Sequence, residues 1–144
     1  MFASLRVVAA LGILLASAAC SSVSVPAGIE PVTGFEVERY MGRWYEVARL
    51  DHSFERGMEQ VTASYSLRPD GTVEVLNRGY RPDKGKWSEA RGTAKFLGAA
   101  DVAALKVSFF GPFYGGYNVV DLDPDYQHAL IAGPDTSYLW ILSR

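Results

Sequence analysis

From Trp44 onward, apolar residues recur mainly at every second position, and turn residues interrupt them at short intervals. A period of two puts successive side chains on opposite faces of an extended chain, so each run predicts a strand with one apolar face. Residues 44–50 form the first run. Residues 60–67 set Val61, Ala63, Tyr65 and Leu67 against Thr62, Ser64 and Ser66. After the turn signal Pro69-Asp70-Gly71, residues 72–80 place Val73, Val75, Asn77 and Gly79 together. A second turn, Pro82-Asp83-Lys84-Gly85, leads to residues 87–96, with Ala90, Gly92, Ala94 and Phe96 on one side. Residues 104–110 set Leu105, Val107 and Phe109 opposite Lys106 and Ser108. Residues 117–122, 128–132 and 138–143 complete the series.

These eight runs are joined mostly by short turns, with no room for crossover helices. Short connections imply antiparallel neighbours. The expected fold is therefore all-β: an eight-stranded antiparallel up-and-down β-barrel, closed so that no strand edge is left exposed. Small residues share the inward parity (Ala48, Ala63, Ala90, Gly92, Ala94) and favour a hollow interior. Tight sheet packing is the alternative reading of the same residues. Tyr40-Met41 is expected in a short turn that closes one end.

The parity assigns a lining to that hollow. Tyr65, Asn77, Tyr117, Tyr138 and Trp140 offer polar atoms on large side chains, and Val75 and Val107 add apolar wall. Phe54 and Met58, in the long segment 50–59, are candidates to cap the opening, and Arg56 to meet an acidic group there. Glu46 shares parity with Trp44 and Ala48, so it too is expected to point inward, where a carboxylate needs a partner; Arg144 is a candidate. Phe109-Phe110-Gly111-Pro112-Phe113-Tyr114 is unusually aromatic for a strand and turn, and is a candidate portal rim, membrane contact or homodimer patch.

Composition narrows the function. The chain has 144 residues, which suits one domain, and a net charge of −2 without a basic stripe, which gives no footprint for nucleic acid. The single Cys excludes an internal disulfide. No Cys/His zinc spacing is present. His52 and His128 read as surface or packing residues. Asp121, Asp123 and Asp125 lack the Gly and distal Glu of a calcium loop and read as an acidic turn. No metal and no cofactor is expected. No nucleophile stands with an acid and base in a recognisable spacing, so catalysis is not expected.

Residues 1–20 read as an export signal: Arg6, then an apolar stretch, then Ala16-Ser17-Ala18-Ala19. Cys20 follows at once. The junction resembles the lipobox of bacterial lipoproteins, which implies diacylglycerol linkage at Cys20, although Ser17 stands where that box usually carries Leu. Ordinary cleavage into the periplasm or medium is the alternative. Residues 21–34 contain two Pro and two Gly and read as a tether.

Three further strings carry a family resemblance. Gly42-Arg43-Trp44-Tyr45-Glu46, Asp123-Pro124-Asp125-Tyr126 and Leu142-Ser143-Arg144 resemble, in order, the three signatures of the lipocalins. The segments 51–57, 106–117 and 138–144 are similar to those of bacterial lipocalins, relatives of apolipoprotein D. The resemblance covers residues 35–144. It implies a structural floor in which Arg144 packs over Trp44, and a membrane-anchored protein that holds fatty acids or lysophospholipids for lipid storage, transport or membrane maintenance. It also implies outer-membrane retention, since Asp does not follow Cys20. An enzyme or a pigment carrier using the same cavity is the alternative. Lipocalins usually continue past that Arg into a helix against the barrel wall. This helix is not in the sequence, so an exposed apolar patch is expected on the outside.

Overall fold

The computed structural model describes residues 23–144; the expected export segment and Cys20 lie outside the described residues. A short helix, α1 (Val37–Tyr40), precedes eight strands: β1 (Gly42–Arg49), β2 (Glu59–Leu67), β3 (Val73–Arg81), β4 (Lys86–Phe96), β5 (Ala104–Phe110), β6 (Phe113–Leu122), β7 (His128–Ala132) and β8 (Leu139–Ser143). Each strand pairs antiparallel with its neighbours in sequence, and β8 returns to β1, closing the barrel. The up-and-down architecture is the one the alternation predicts. Strand β6 begins at Phe113 rather than at 117, because Phe110 pairs with Phe113 and the hairpin closes tightly.

Turn chemistry sets the register at both ends. Between β2 and β3, Asp70 Oδ1 accepts from the Thr72 backbone N–H at 2.9 Å, and Arg68 and Thr72 pair across the turn. Between β3 and β4, residues Pro82–Lys84 form one 3₁₀ turn.

Two β-bulges reset the alternation. In β1 the register slips between Glu46 and Ala48, so Glu46 faces Leu142 while Ala48 faces Ile141. One extra residue reverses the faces beyond it. Ala48 is therefore exposed, and Arg49 turns to the Glu46 side. In β6 a slip between Val119 and Asp121 leaves Tyr117 and Val119 inward and accommodates the adjacent Val120.

The lower end is stoppered. Phe35 and α1 bring Tyr40 beneath the barrel, where its ring lies 5.3 Å from Phe35 and 4.7 Å from Trp44. Trp44 is fully buried and its indole N–H donates to the Tyr40 carbonyl at 2.8 Å. The Arg144 guanidinium lies 4.3 Å from the Trp44 ring. It also donates to the carbonyls of Arg39, Met41 and Tyr126. Gly42 holds φ at +97°, which favours glycine, and a Cβ there would lie 3.0 Å from Arg144 Nη1, a tight contact.

The segment before α1 belongs partly to the barrel. Val32 exchanges backbone hydrogen bonds with Val119 and Ala103, and Thr33 bridges Val102. The stretch free to act as a tether is thus shorter than residues 21–34. On the outer face of β1 and β8, Tyr45, Val47 (64% exposed) and Ile141 lie exposed near one another.

Small residues on β4 do not all leave empty space. A Cβ at Gly92 would meet the Ser108 carbonyl at 2.7 Å and the Phe109 ring at 2.8 Å. Gly92→Ala is expected to lower stability by about 1–3 kcal/mol, the usual penalty of overpacking, read as a lower urea midpoint.

Candidate functional site

Inside the barrel lies a cavity of about 680 Å³. The turns 68–72, 97–103 and 123–127 lie at the stoppered end, and the loops 50–58, 82–85, 111–112 and 133–138 surround the opposite mouth. Strand alternation supplies the wall. Ala63 and Tyr65 enter from β2, Val75 and Asn77 from β3, Ala90 from β4, Val107 from β5 and Tyr117 from β6. Tyr138 and Trp140 line it from the loop before β8 and from β8 itself, and Phe54 covers part of the mouth. Ten of the eleven expected lining residues thus meet on one surface.

Ala48 is the exception. It lies on the barrel exterior because of the β1 bulge and does not line this cavity. Arg56 is also displaced from its expected role: it pairs with Asp51 at 2.8 Å on the outside of the loop, with both side chains exposed. Glu46 does point inward, but its partner is Arg49, at 2.6 Å, and not Arg144. Burial raises the Glu46 carboxyl above its ordinary range, and the Arg49 hydrogen bond opposes that.

A polar clasp holds the long loop against β8. Arg49 donates to the carbonyls of Glu55 and Met58, and Glu55 accepts the Trp140 indole N–H at 2.9 Å. His52 is only 5% exposed, stacked on Phe54 with ring centres 3.9 Å apart. Its Nε2 lies 3.0 Å from Glu55 Oε2, out of line for a hydrogen bond. Burial and the nearby Arg49 lower the His52 pKa, against smaller opposing effects of Glu46 and Asp51. Burial raises Glu55.

The sign of the pH dependence follows. An unfolded chain protonates His52 near pH 6.5, before the folded one does. The unfolded state then binds more protons, so stability falls as pH drops through and below that value. Glu46 and Glu55, raised in the folded state, act in the opposite sense as pH rises from their ordinary range. The His52 contribution is read as a difference: between pH 7 and pH 5 the urea midpoint is expected to fall more in the wild type than in His52→Phe.

The mouth is rimmed by aromatics and by Arg81. Phe110 and Phe113, at the tip of the β5–β6 hairpin, are 80% and 76% exposed. Arg78 lies over the Trp87 ring at 3.9 Å and pairs with Glu89 at 3.5 Å, on the opposite parity of β3 to the lining, whereas Arg81 shares the inward parity and is among the lining residues. Arg81 has no ion-pair partner among the described residues. The parity that picks out Val73, Val75 and Asn77 also reaches Arg81, so that signal was present in the sequence. Tyr40, which lines the closed end, was assigned only to the floor. Its position depends on how α1 packs.

The remaining polar candidates are structural. Asp123 accepts backbone N–H groups from Asp125, Gln127 and His128, which tightens the turn and lowers its pKa. Among the described residues, no cluster of three or more His, Cys, Asp or Glu could hold a metal ion.

Comparison with known proteins agrees with this geometry. The chain matches the lipocalin-like domain family over residues 35–144. It is 62% identical over 126 residues to the outer membrane lipoprotein Blc of Escherichia coli K12, spanning 88% of this chain and 71% of that protein. It is 46% identical over 125 residues to temperature-induced lipocalin-1 of Arabidopsis thaliana, spanning 81% and 66%. The solved structure of the cockroach allergen Per a 4 superposes with a TM-score of 0.65 at 24% identity, over 85% of this chain and 76% of that one, a likeness of fold. With its closed eight-stranded barrel, the Trp44–Arg144 floor and the open apolar cavity, the chain belongs to the lipocalin family.

Proposed function

We propose that the protein carries a single-chain lipid, a fatty acid or a lysophospholipid, at the bacterial outer membrane. Lipocalins as a family bind small hydrophobic ligands, and this reading specifies the ligand. The observation that carries it is the cavity itself: an apolar tube, stoppered at one end, with Arg81 among the residues that line the other. An acyl chain gains about 0.8 kcal/mol for each CH₂ it buries, so a tube walled all round and open at one end suits one. An anionic head at the rim stays hydrated and meets Arg81. The reading is of a binding protein rather than an enzyme.

The similarity to outer membrane lipoproteins supports anchoring through a lipidated Cys20, with the barrel held near the bilayer by the segment that follows. The carrier role suits lipid storage, transport or membrane maintenance.

Native mass spectrometry of protein purified from its source, followed by extraction, tests the ligand. Recovery of fatty acids or lysophospholipids is expected. Protein that is always empty, and that fails to bind a fluorescent fatty acid, would refute the proposal. For the anchor, Cys20→Ser is expected to move the protein from the membrane fraction to the soluble one.

A further inference from the structure

The closed end of the cavity is apolar except for three phenol hydroxyls. Tyr117 Oη lies 2.8 Å from Tyr40 Oη and 2.9 Å from Tyr65 Oη. The side chains come from three separate elements, α1, β2 and β6, and all three line the cavity. Three hydroxyls carry three protons, and two O···O contacts use only two of them. Whichever way the bonds run, one O–H is left without an acceptor among the described residues. A buried donor without an acceptor is costly, so this floor is incomplete by itself. Burial raises all three phenols above their ordinary range, which keeps them protonated and able to donate.

We propose that Tyr40, Tyr65 and Tyr117 form a recognition site for an oxygen atom at the buried end of the bound amphiphile. The oxygen is uncharged: a hydroxyl or carbonyl on the acyl chain, or a protonated carboxyl head inserted first. A carboxylate is excluded because the Arg144 guanidinium lies beyond the Trp44 ring and is already engaged with three backbone carbonyls. A buried anion without a counter-ion is too costly. The three tyrosines thereby admit oxygenated acyl chains that a purely apolar tube would reject. This rests on the lipid-carrier reading above.

The test is a cycle of two proteins and two ligands. The proteins are the wild type and Tyr40→Phe/Tyr65→Phe/Tyr117→Phe, in which every hydroxyl of the cluster goes together. Removing both partners of a buried hydrogen bond with no change of shape is close to neutral for folding, and a urea midpoint checks this. The ligands are hexadecanoic acid and 16-hydroxyhexadecanoic acid, with shorter and longer pairs to vary the reach.

The hydroxy acid is expected to lose about 2- to 12-fold in affinity relative to its parent when the hydroxyls are removed. That result assigns the oxygen to the chain. If instead the parent acid itself weakens by a similar factor, the head lies at the floor, which also supports the site. If removing the hydroxyls weakens neither acid, water serves the spare proton and the proposal is overturned. If neither acid binds the wild type, the carrier reading fails first, a distinguishable result. In the wild type alone, Raman bands that report tyrosine hydrogen bonding are expected to shift with the bound hydroxy acid. Unchanged bands in both complexes would also overturn the proposal.

Discussion

Trp44→Ala is expected to cost about 3–5 kcal/mol of folding stability, the largest single effect in this barrel. The indole is fully buried, and it contributes on every side. Its ring packs on Tyr40, its N–H satisfies the Tyr40 carbonyl, and its other face receives Arg144. Truncation opens a cavity under α1 and releases the stopper as well as the contact. Against a typical total of about 5–15 kcal/mol, such a loss removes a large share of the stability. Urea titration followed by circular dichroism measures it. A double-mutant cycle of Trp44→Phe with Arg144→Ala isolates the pair and is expected to give a coupling of about 0.5–2 kcal/mol. A midpoint unchanged by Trp44→Ala would mean that the floor is not what closes this barrel.

Ala90→Trp is expected to block ligand binding and leave the fold intact. Ala90 faces the open cavity opposite Asn77, where a large ring has room to enter. An indole there displaces ligand. If it excludes about four CH₂ groups at about 0.8 kcal/mol each, the loss is near 3 kcal/mol, or about 200-fold in Kd. Displacement of a fluorescent fatty acid reads the affinity, and the urea midpoint is expected to stay close to wild type. Ala48→Trp is the control. Alternation alone puts Ala48 on the same inner face, but the bulge puts it outside. The expected result is unaltered affinity at Ala48 and a large loss at Ala90. The reverse would refute both the cavity assignment and the bulge.

The cavity wall was largely legible in the sequence because a strand has a strict period of two. Val75 and Asn77 on β3 can be read inward with no knowledge of the partner strands, and Ala63 and Tyr65 on β2 follow the same rule. The rule fails where a residue is inserted. At β1 nothing in Glu46-Val47-Ala48 announces the bulge, since all three residues fit a regular strand. Its consequence is chemical as well as geometric: Arg49 replaces Arg144 as the partner of Glu46 and ties down the loop through Glu55 and Met58. His52 and Arg56 are both polar residues of one loop, yet one is buried against Phe54 and the other pairs outside with Asp51. Loop residues carry no period that would separate them.

What the sequence by itself determined is everything that depends on local pattern: eight strands, their short antiparallel connections, the inner face of each regular stretch, and the Trp44 and Arg144 markers at the two ends of the barrel domain. Only the tertiary structure decided what depends on distant segments meeting. The Tyr40–Tyr117–Tyr65 hydroxyl cluster joins residues up to 77 positions apart in the chain. The Glu55–Trp140 hydrogen bond spans 85. Such contacts arise from closure of the sheet, which brings β1 against β8 and folds α1 under both, and no short-range periodicity encodes the distance between atoms that closure brings together.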